Sequence, residues 1–480
     1  MRIFSTLVAA AAALVLGGES TVLPPEYARG GRVFRELSAR HGSTRASLHA
    51  PDVTLDAQFL TQNCNHFNSS DSCSFDQKYF VDLASDSSKP LLLYINGEGP
   101  VSGLPTGYVR DMADKYGATL ATLEHRFYGE SVPNNNRNVD NLKLLTVEQA
   151  LMDLKTFQSY LQWKHDLTGP VIVAGGSYSG ALSAWHRIYL PSLTVGGWSS
   201  SGVVNALVEY PEFDQSISES AGTECAAAMR NLTSALETAN TADPAALRRK
   251  FNADENMSDP DFFYAMADGV AMGIQYDNKA TVCSVLTQAV VSGTDIVDAS
   301  VSLFNDLWGK DFTAGAFYNT PAVADPTCKG MARSWRYQKC TELGYLQDAP
   351  ASSPIRSTVL SMDNLIKQCH DIFGASFTPN SDAIQARFGG AQPTGTNVVY
   401  ADASDDPWRS ASVTSKPSPY GTSYAFSQCD GCGHCSDMAA QSPDDPASLK
   451  QTRVTIDNAI ASWLADWEAK KGTVRSVVAK

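Results

Sequence analysis

Beyond Leu16 the 480-residue sequence has no apolar run long enough to cross a bilayer, which takes about 20 residues. It also lacks a cationic excess: 37 Lys and Arg face 51 Asp and Glu, a net charge of −14. Proteins that bind polyanions neutralise phosphates with Lys and Arg, so this balance argues against nucleic acid or an anionic membrane as partner. No internal repeat is visible, and no low-complexity segment beyond an alanine run near the N-terminus. Histidine is scarce as well, at eight residues, which makes the search for a catalytic base short.

What is present points to a large secreted α/β protein. With 43% hydrophobic and 18% charged residues, the chain can bury a substantial core. Residues 1–20 combine Arg2, an apolar stretch and small residues at Gly18 and Ser20, the pattern of a secretory signal peptide. Sequons at Asn68, Asn231 and Asn256 fit that route, as do ten cysteines, an even number suited to disulfides in an oxidising compartment. Residues 21–55 read as a leader or pro-like segment. Strand-like runs at 79–83, 91–95, 119–124 and 195–199 alternate with helical patterns at 111–116 and 147–163, giving a mainly parallel sheet. An Ala-rich helical rhythm over 203–350 reads as a cap inserted between core segments 56–202 and 351–480. Strand patterns then resume at 396–401 and 424–427. A final amphipathic helix spans 452–467, its tryptophans expected in the core.

The chemistry centres on VIVAGGSYSG, residues 171–180. A short apolar strand runs into two glycines, then Ser177, then a helix-forming stretch. A serine at such a turn projects its hydroxyl beside the free N–H groups of a helix start, as the nucleophile of an α/β-hydrolase does. The fit to G-x-S-x-G is imperfect, because Ser179 stands at the last glycine.

A serine hydroxyl needs a base, and the base an orienting carboxylate. In this fold the chain order is Ser, acid, His. His41, His49, His66, His125 and His165 precede Ser177, and His186 lies on the helix leaving the turn. His370 and His434 remain, and His434 is favoured because it follows the last strand pattern in a glycine-flanked loop. The acid should lie in DASDDPW, where Asp402, Asp405 and Asp406 are all candidates. An oxyanion hole would draw one donor from the Tyr178 N–H and the other from the Gly97–Glu98–Gly99 loop.

Ordered motifs then carry a resemblance. HFNSSDSCSFDQKYFVD (66–82), INGEGP (95–100), LEHRFYGES (123–131) with LTVEQALMDL (145–154), GGSYSGALSAW (175–185), WRYQKCTELG (335–344), DDPW (405–408) and GHCSDM (433–438) follow one another along the chain. The sequence thereby resembles the secreted and lysosomal serine peptidases that include Pro-X carboxypeptidase, dipeptidyl peptidases acting after proline, and thymus-specific serine protease. The resemblance implies an α/β-hydrolase core with a helical cap and Asp406 as triad acid. It also implies peptide substrates cut after proline, usually at acidic pH. It makes Trp408 a candidate wall for a proline pocket.

Glu124, Arg126 and Glu130 are expected in a buried polar network rather than in catalysis. Asp402-Ala403 departs from the family's usual Asn-Gly, and Cys429, Cys432 and Cys435 crowd His434. In an oxidising compartment these read as disulfides pinning the histidine loop rather than as zinc ligands. Acid function poses a problem, since an imidazole of pKa ~6.5 is mostly protonated ~1.5 units lower. Either the working pH is only mildly acidic or the site depresses the pKa of His434. The expectation is a secreted or vacuolar serine exopeptidase, monomer or homodimer, with no metal or organic cofactor. Which chain end it trims stays open. An esterase or lipase of the same fold, or an inactive hydrolase-fold binding protein, are the alternatives.

Overall fold

The structure, a computed structural model, describes residues 55–478 except positions 329, 416 and 418. The expected signal peptide and all but the last residue of the leader lie outside the described residues. An eight-stranded sheet forms the centre, in the order β1-β2-β4-β3-β5-β6-β7-β8. The strands are β1 (Gln58–Asn63), β2 (Ser74–Asp82), β3 (Leu91–Ile95), β4 (Thr119–Leu123), β5 (Val171–Gly176), β6 (Gly196–Ser200), β7 (Val398–Ala403) and β8 (Ser423–Ser427). From β4 to β8 all neighbours are parallel, while β1 and β2 are antiparallel at one edge. Strand β1 had no sequence expectation. Its QFLTQN alternates between buried and exposed positions at a sheet edge, so it lacks the continuous apolar run that marks the inner strands.

Those inner strands are covered on both faces, and their alternation sorts side chains between two cores. Leu91, Leu93, Val171, Val173, Val398 and Tyr400 join the larger cluster. Their neighbours Leu92, Ile172, Ala174, Val399 and Ala401 join the other. The helix Val147–Lys164 packs Leu151, Leu154, Phe157 and Leu161 into the larger cluster, as its 3.6-residue spacing predicts. On the opposite face lie Tyr108–Tyr116 and the C-terminal helix Ala447–Val478, which presents Ile456, Ile460 and Trp463. Full burial of each such side chain contributes about 1.5–3 kcal/mol. Trp463 is therefore core, as expected, while Trp467 is half-buried.

Between β6 and β7 the chain is helical, from Glu212 to Phe388. Long helices at Glu212–Ala242, Asp259–Gln275, Lys279–Ser292 and Ile296–Trp308 begin it, and Met362–Phe373 and Asp382–Phe388 end it. Disulfides Cys225–Cys283 and Cys340–Cys369 cross-link this segment, and Cys64–Cys73 closes the β1–β2 turn. Four disulfides, with Cys429–Cys432, belong to a protein matured under oxidising conditions. Among the described residues no helix is long and apolar enough to cross a membrane. The sequon asparagines Asn68, Asn231 and Asn256 are all exposed.

Gly196 opens β6 directly under the Trp463 ring, where a Cβ would come within 2.0 Å of ring carbon Cε3. Gly196→Ala must push the C-terminal helix off the sheet, at about 1–3 kcal/mol. A lowered urea midpoint at unchanged m-value is the expected result, and an unchanged midpoint would refute this account of the helix seat.

Candidate active site

β5 ends in Gly175 and Gly176, and the next residue turns sharply into the helix Tyr178–Tyr189. Ser177 sits on that turn at φ 62°, ψ −130°, a left-handed conformation that a residue with a Cβ adopts only under strain. The Ser177 N–H donates to Ser200 O at 2.9 Å, and Ser177 O accepts from Ala181 N at 3.0 Å. Close packing leaves no room for side chains nearby. A Cβ on Gly175 would meet Ser179 O at 2.2 Å, and one on Gly180 would meet Ser200 O at 2.6 Å. Ser179, the imperfect position of the motif, supports the turn: its Oγ donates to Gly176 O at 2.7 Å and accepts from Gly176 N at 3.1 Å.

The three candidate acids part company. Asp402 is buried, its Oδ2 accepting from Ser412 Oγ at 3.1 Å, and burial together with the charge of Asp406 raises its pKa well above the carboxylate range. Asp405 turns away to Lys279 Nζ (2.9 Å), Ser220 Oγ (2.6 Å) and the Gly431 N–H (2.8 Å). Asp406 Oδ1 accepts from the Trp408 N–H at 2.9 Å and lies 2.8 Å from His434 Nδ1. An ionised carboxylate only accepts, so Nδ1 carries the proton and Nε2 is left as the basic nitrogen. His370 lies on the helix Met362–Phe373.

Burial works to lower the pKa of His434, but the Asp406 charge, Cys435 beside it and the hydrogen bonds to both outweigh it and hold the imidazole well above 6.5. The histidine loop is anchored at several points. The His434 N–H donates to Gln275 O at 2.9 Å, and the Cys435 N–H donates to Ser201 Oγ at 2.9 Å. Asp437 accepts from Trp198 Nε1 at 2.9 Å and Ser200 Oγ at 2.5 Å, tying the loop to the end of β6. A Cβ on Gly176 would come within 2.8 Å of Cys435 Sγ, so the serine turn and the histidine loop touch. Cys429 and Cys432 form a disulfide, which removes two of the three thiolates a zinc site would need. Among the described residues no group of His, Cys, Asp and Glu could hold a metal ion.

Ser177 opens into a cleft of about 510 Å³. Its apolar wall includes Trp408, Phe213, Tyr345 and Trp335. The Trp408 ring lies 5.0 Å from Phe213, 5.9 Å from Tyr345 and 6.4 Å from the His434 ring. Glu98 lines the cleft too, its pKa raised by burial against the pull of His434. Gly97 packs on the first turn of the serine helix, where a Cβ would lie 3.5 Å from Ser179 N. The Tyr178 side chain points into the core, its OH accepting from Gln338 Nε2 at 2.8 Å and lying 3.2 Å from His125 Nε2.

Of the expected polar network, Arg126 pairs with Asp153 at 2.7 Å and Glu124 accepts from the Val101 and Glu130 N–H groups, all buried. Glu130 is the exception. Its side chain is 65% exposed and pairs with Lys78, because the Gly129 turn carries it outward. Sequence reasoning also missed Gln275, which holds the His434 backbone and accepts from Trp408 Nε1 at 3.1 Å. No local motif marks a residue that arrives from the helical segment.

The mainly parallel sheet with a strained serine between strand and helix defines an α/β-hydrolase. The match to the serine carboxypeptidase S28 family runs over residues 62–456. The chain belongs to that family and is a serine peptidase. It is 35% identical to the probable serine protease EDA2 of Arabidopsis thaliana over 426 residues, 85% of each chain. It is 27% identical to the thymus-specific serine protease of Mus musculus, covering 90% of this chain and 92% of that one. The lysosomal Pro-X carboxypeptidase of the same species is 23% identical, over 94% and 97%. The solved proline iminopeptidase of Mycobacterium smegmatis aligns with 82% of this chain and 97% of its own, at 12% identity and a TM-score of 0.31.

The Cys429–Cys432 ring docks on the strand end before Asp406, through Ser404 Oγ with Cys429 and the Asp405 N–H donating to Cys432 O at 2.9 Å. Replacing both cysteines with serine should slow labelling of Ser177 by a serine-directed phosphonate on the order of 10- to 100-fold, as small misplacements of reacting groups do. Unchanged labelling would show that the loop holds without its disulfide.

Proposed function

We propose that the protein hydrolyses peptide bonds on the carboxyl side of proline, as an exopeptidase, through a triad of Ser177, His434 and Asp406. The observation that carries this reading is the 2.8 Å contact of His434 Nδ1 with Asp406 Oδ1, in a loop that touches the turn of a strained serine lining an aromatic cleft. His434 Nε2 takes the proton from Ser177 Oγ as the oxygen bonds to the scissile carbonyl carbon. It then gives that proton to the leaving amine, and water releases the acyl-enzyme by the same exchange. The Tyr178 N–H and the Gly97–Glu98 loop would hold the oxyanion. Trp408, with Phe213 and Tyr345, offers flat faces on which a proline ring can lie. Four disulfides and the exposed sequon asparagines support passage through the secretory route.

Ser177→Ala should abolish cleavage of proline-containing peptides. Asp406→Asn should lower kcat by about 10⁴-fold, because the wrong histidine tautomer is then held. Comparable turnover of Pro and Ala at the cleaved position would refute the proline pocket. Turnover of simple esters without peptide cleavage would instead favour an esterase.

The raised pKa of His434 sets the pH dependence. Below it the imidazole is protonated and cannot act as base, so kcat/KM should rise with pH through a midpoint above 6.5. Depression of the histidine pKa is the route to acid function that this geometry opposes, so the working range should lie above the ordinary imidazole pKa rather than in acid. A rate constant down to pH ~4 would contradict His434 as the base.

A further inference from the structure

The cleft is lined by carboxyl groups and by no basic side chain among the described residues. Those carboxyl groups are Glu98 and Asp268. Asp268 is 3% exposed on the helix Asp259–Gln275. Its Oδ2 accepts from Tyr318 OH at 3.2 Å. Lys339, Arg336 and Arg356, none of which lines the cleft, act on the charge of Asp268. These cations have other acceptors. Arg356 forks onto Asp214 at 2.6 and 2.7 Å, Arg336 donates to Gln368 Oε1 at 2.9 Å, and Lys339 donates to Gln347 Oε1 at 3.0 Å and to Tyr264 OH at 3.2 Å.

A carboxylate buried this deeply loses hydration that only a close cation restores. The three cations acting on Asp268 restore part of it: burial still outweighs them and lifts its pKa to about 6. A further positive charge arriving from the cleft would supply what is missing. The cleft already brings a peptide there, with its proline against Trp408 and its acyl carbon at Ser177. A peptide's free α-ammonium is a cation that can follow the substrate into such a cleft, whereas its carboxylate would face Glu98 and Asp268 with no lysine or arginine in the lining.

We propose that Asp268 anchors the α-ammonium group of the substrate, which makes this enzyme an amino-terminal exopeptidase that releases short N-terminal fragments ending in proline. The proposal rests on the peptidase reading above and adds the end of the chain that is recognised. Gln347 lines the same cleft.

The test uses the full-length enzyme and the peptide Ala-Pro-Ala-Phe in three forms: free at both ends, N-acetylated, and C-amidated. A fourth peptide, N-acetyl-Lys-Pro-Ala-Phe, offers a side-chain ammonium in place of the terminal one. Wild type, Asp268→Asn and Ser177→Ala are compared by kcat/KM. N-acetylation should cost wild type on the order of 30-fold or more, the usual loss when a buried charge pair is deprived of one partner. C-amidation should leave the rate unchanged. Asp268→Asn should slow only peptides with a free N-terminus, bringing free and acetylated forms together. A loss on amidation with acetylation tolerated would overturn the proposal and assign a carboxypeptidase. So would full recovery of the rate by the acetylated lysine peptide, which would make Asp268 a side-chain pocket. If Asp268→Asn fails to fold, seen as a lost thermal transition, the wild-type ratio of free to acetylated substrate decides alone. The absence of Ser177-dependent cleavage of any of the four would overturn the peptidase reading itself.

Discussion

The structure depends on a steric constraint at the end of β6, where Ser199, Ser200, Ser201 and Gly202 run past the serine turn. Ser200 O accepts the Ser177 N–H, Ser200 Oγ bonds to Asp437, and Ser201 Oγ receives the Cys435 N–H. The strained backbone of Ser177 and the loop carrying His434 are thus hung from consecutive residues, the last of β6 and the one after it. Only small residues permit it. A Cβ on Gly202 would strike Ser199 Oγ at 2.1 Å, and Gly180 packs against the same stretch. Strain of order 1–3 kcal/mol at one residue persists only where its surroundings over-determine it, and here two elements do so.

Electrostatics separate carboxyl groups that look alike in the chain. Asp402, four residues before Asp406, is pushed toward its neutral form by burial and by the charge of Asp406, so it does not compete for the imidazole. Glu98 is pushed the same way at the cleft. That leaves Asp406 as the acid directly bonded to His434. The departure from the family's usual Asn-Gly therefore places a buried carboxyl beside the proposed triad while adding little charge to it.

What could be read from the chain follows the range of the interactions involved. The serine turn is contiguous, strand then glycines then helix, so its residues announce it. The inner strands announce themselves because they are buried on both faces, whereas β1, at an edge, does not. The choice among Asp402, Asp405 and Asp406 was open because neighbours in sequence share a local environment, and only distant partners (Ser412, Lys279 and His434) distinguish them. The family resemblance points to Asp406, the one of the three that hydrogen-bonds to His434. Glu130 was misjudged because a single left-handed glycine turned it outward. Gln275 and Asp268 reach the cleft from a helix without a local motif, so no pattern around them points to it.

Lys279 has a mechanical meaning. It begins one helix of the long helical segment, and it bridges Asp405 in the acid loop and Asp430 in the histidine loop. Gln275, on the preceding helix, grips the His434 backbone and the Trp408 ring nitrogen. A hinged lid is therefore the wrong picture of this segment. Lifting it would strip the neutralising ammonium from Asp405 and release the very loops that carry Asp406 and His434. Access and chemical competence are coupled in opposition: an opened molecule would be a dismantled one.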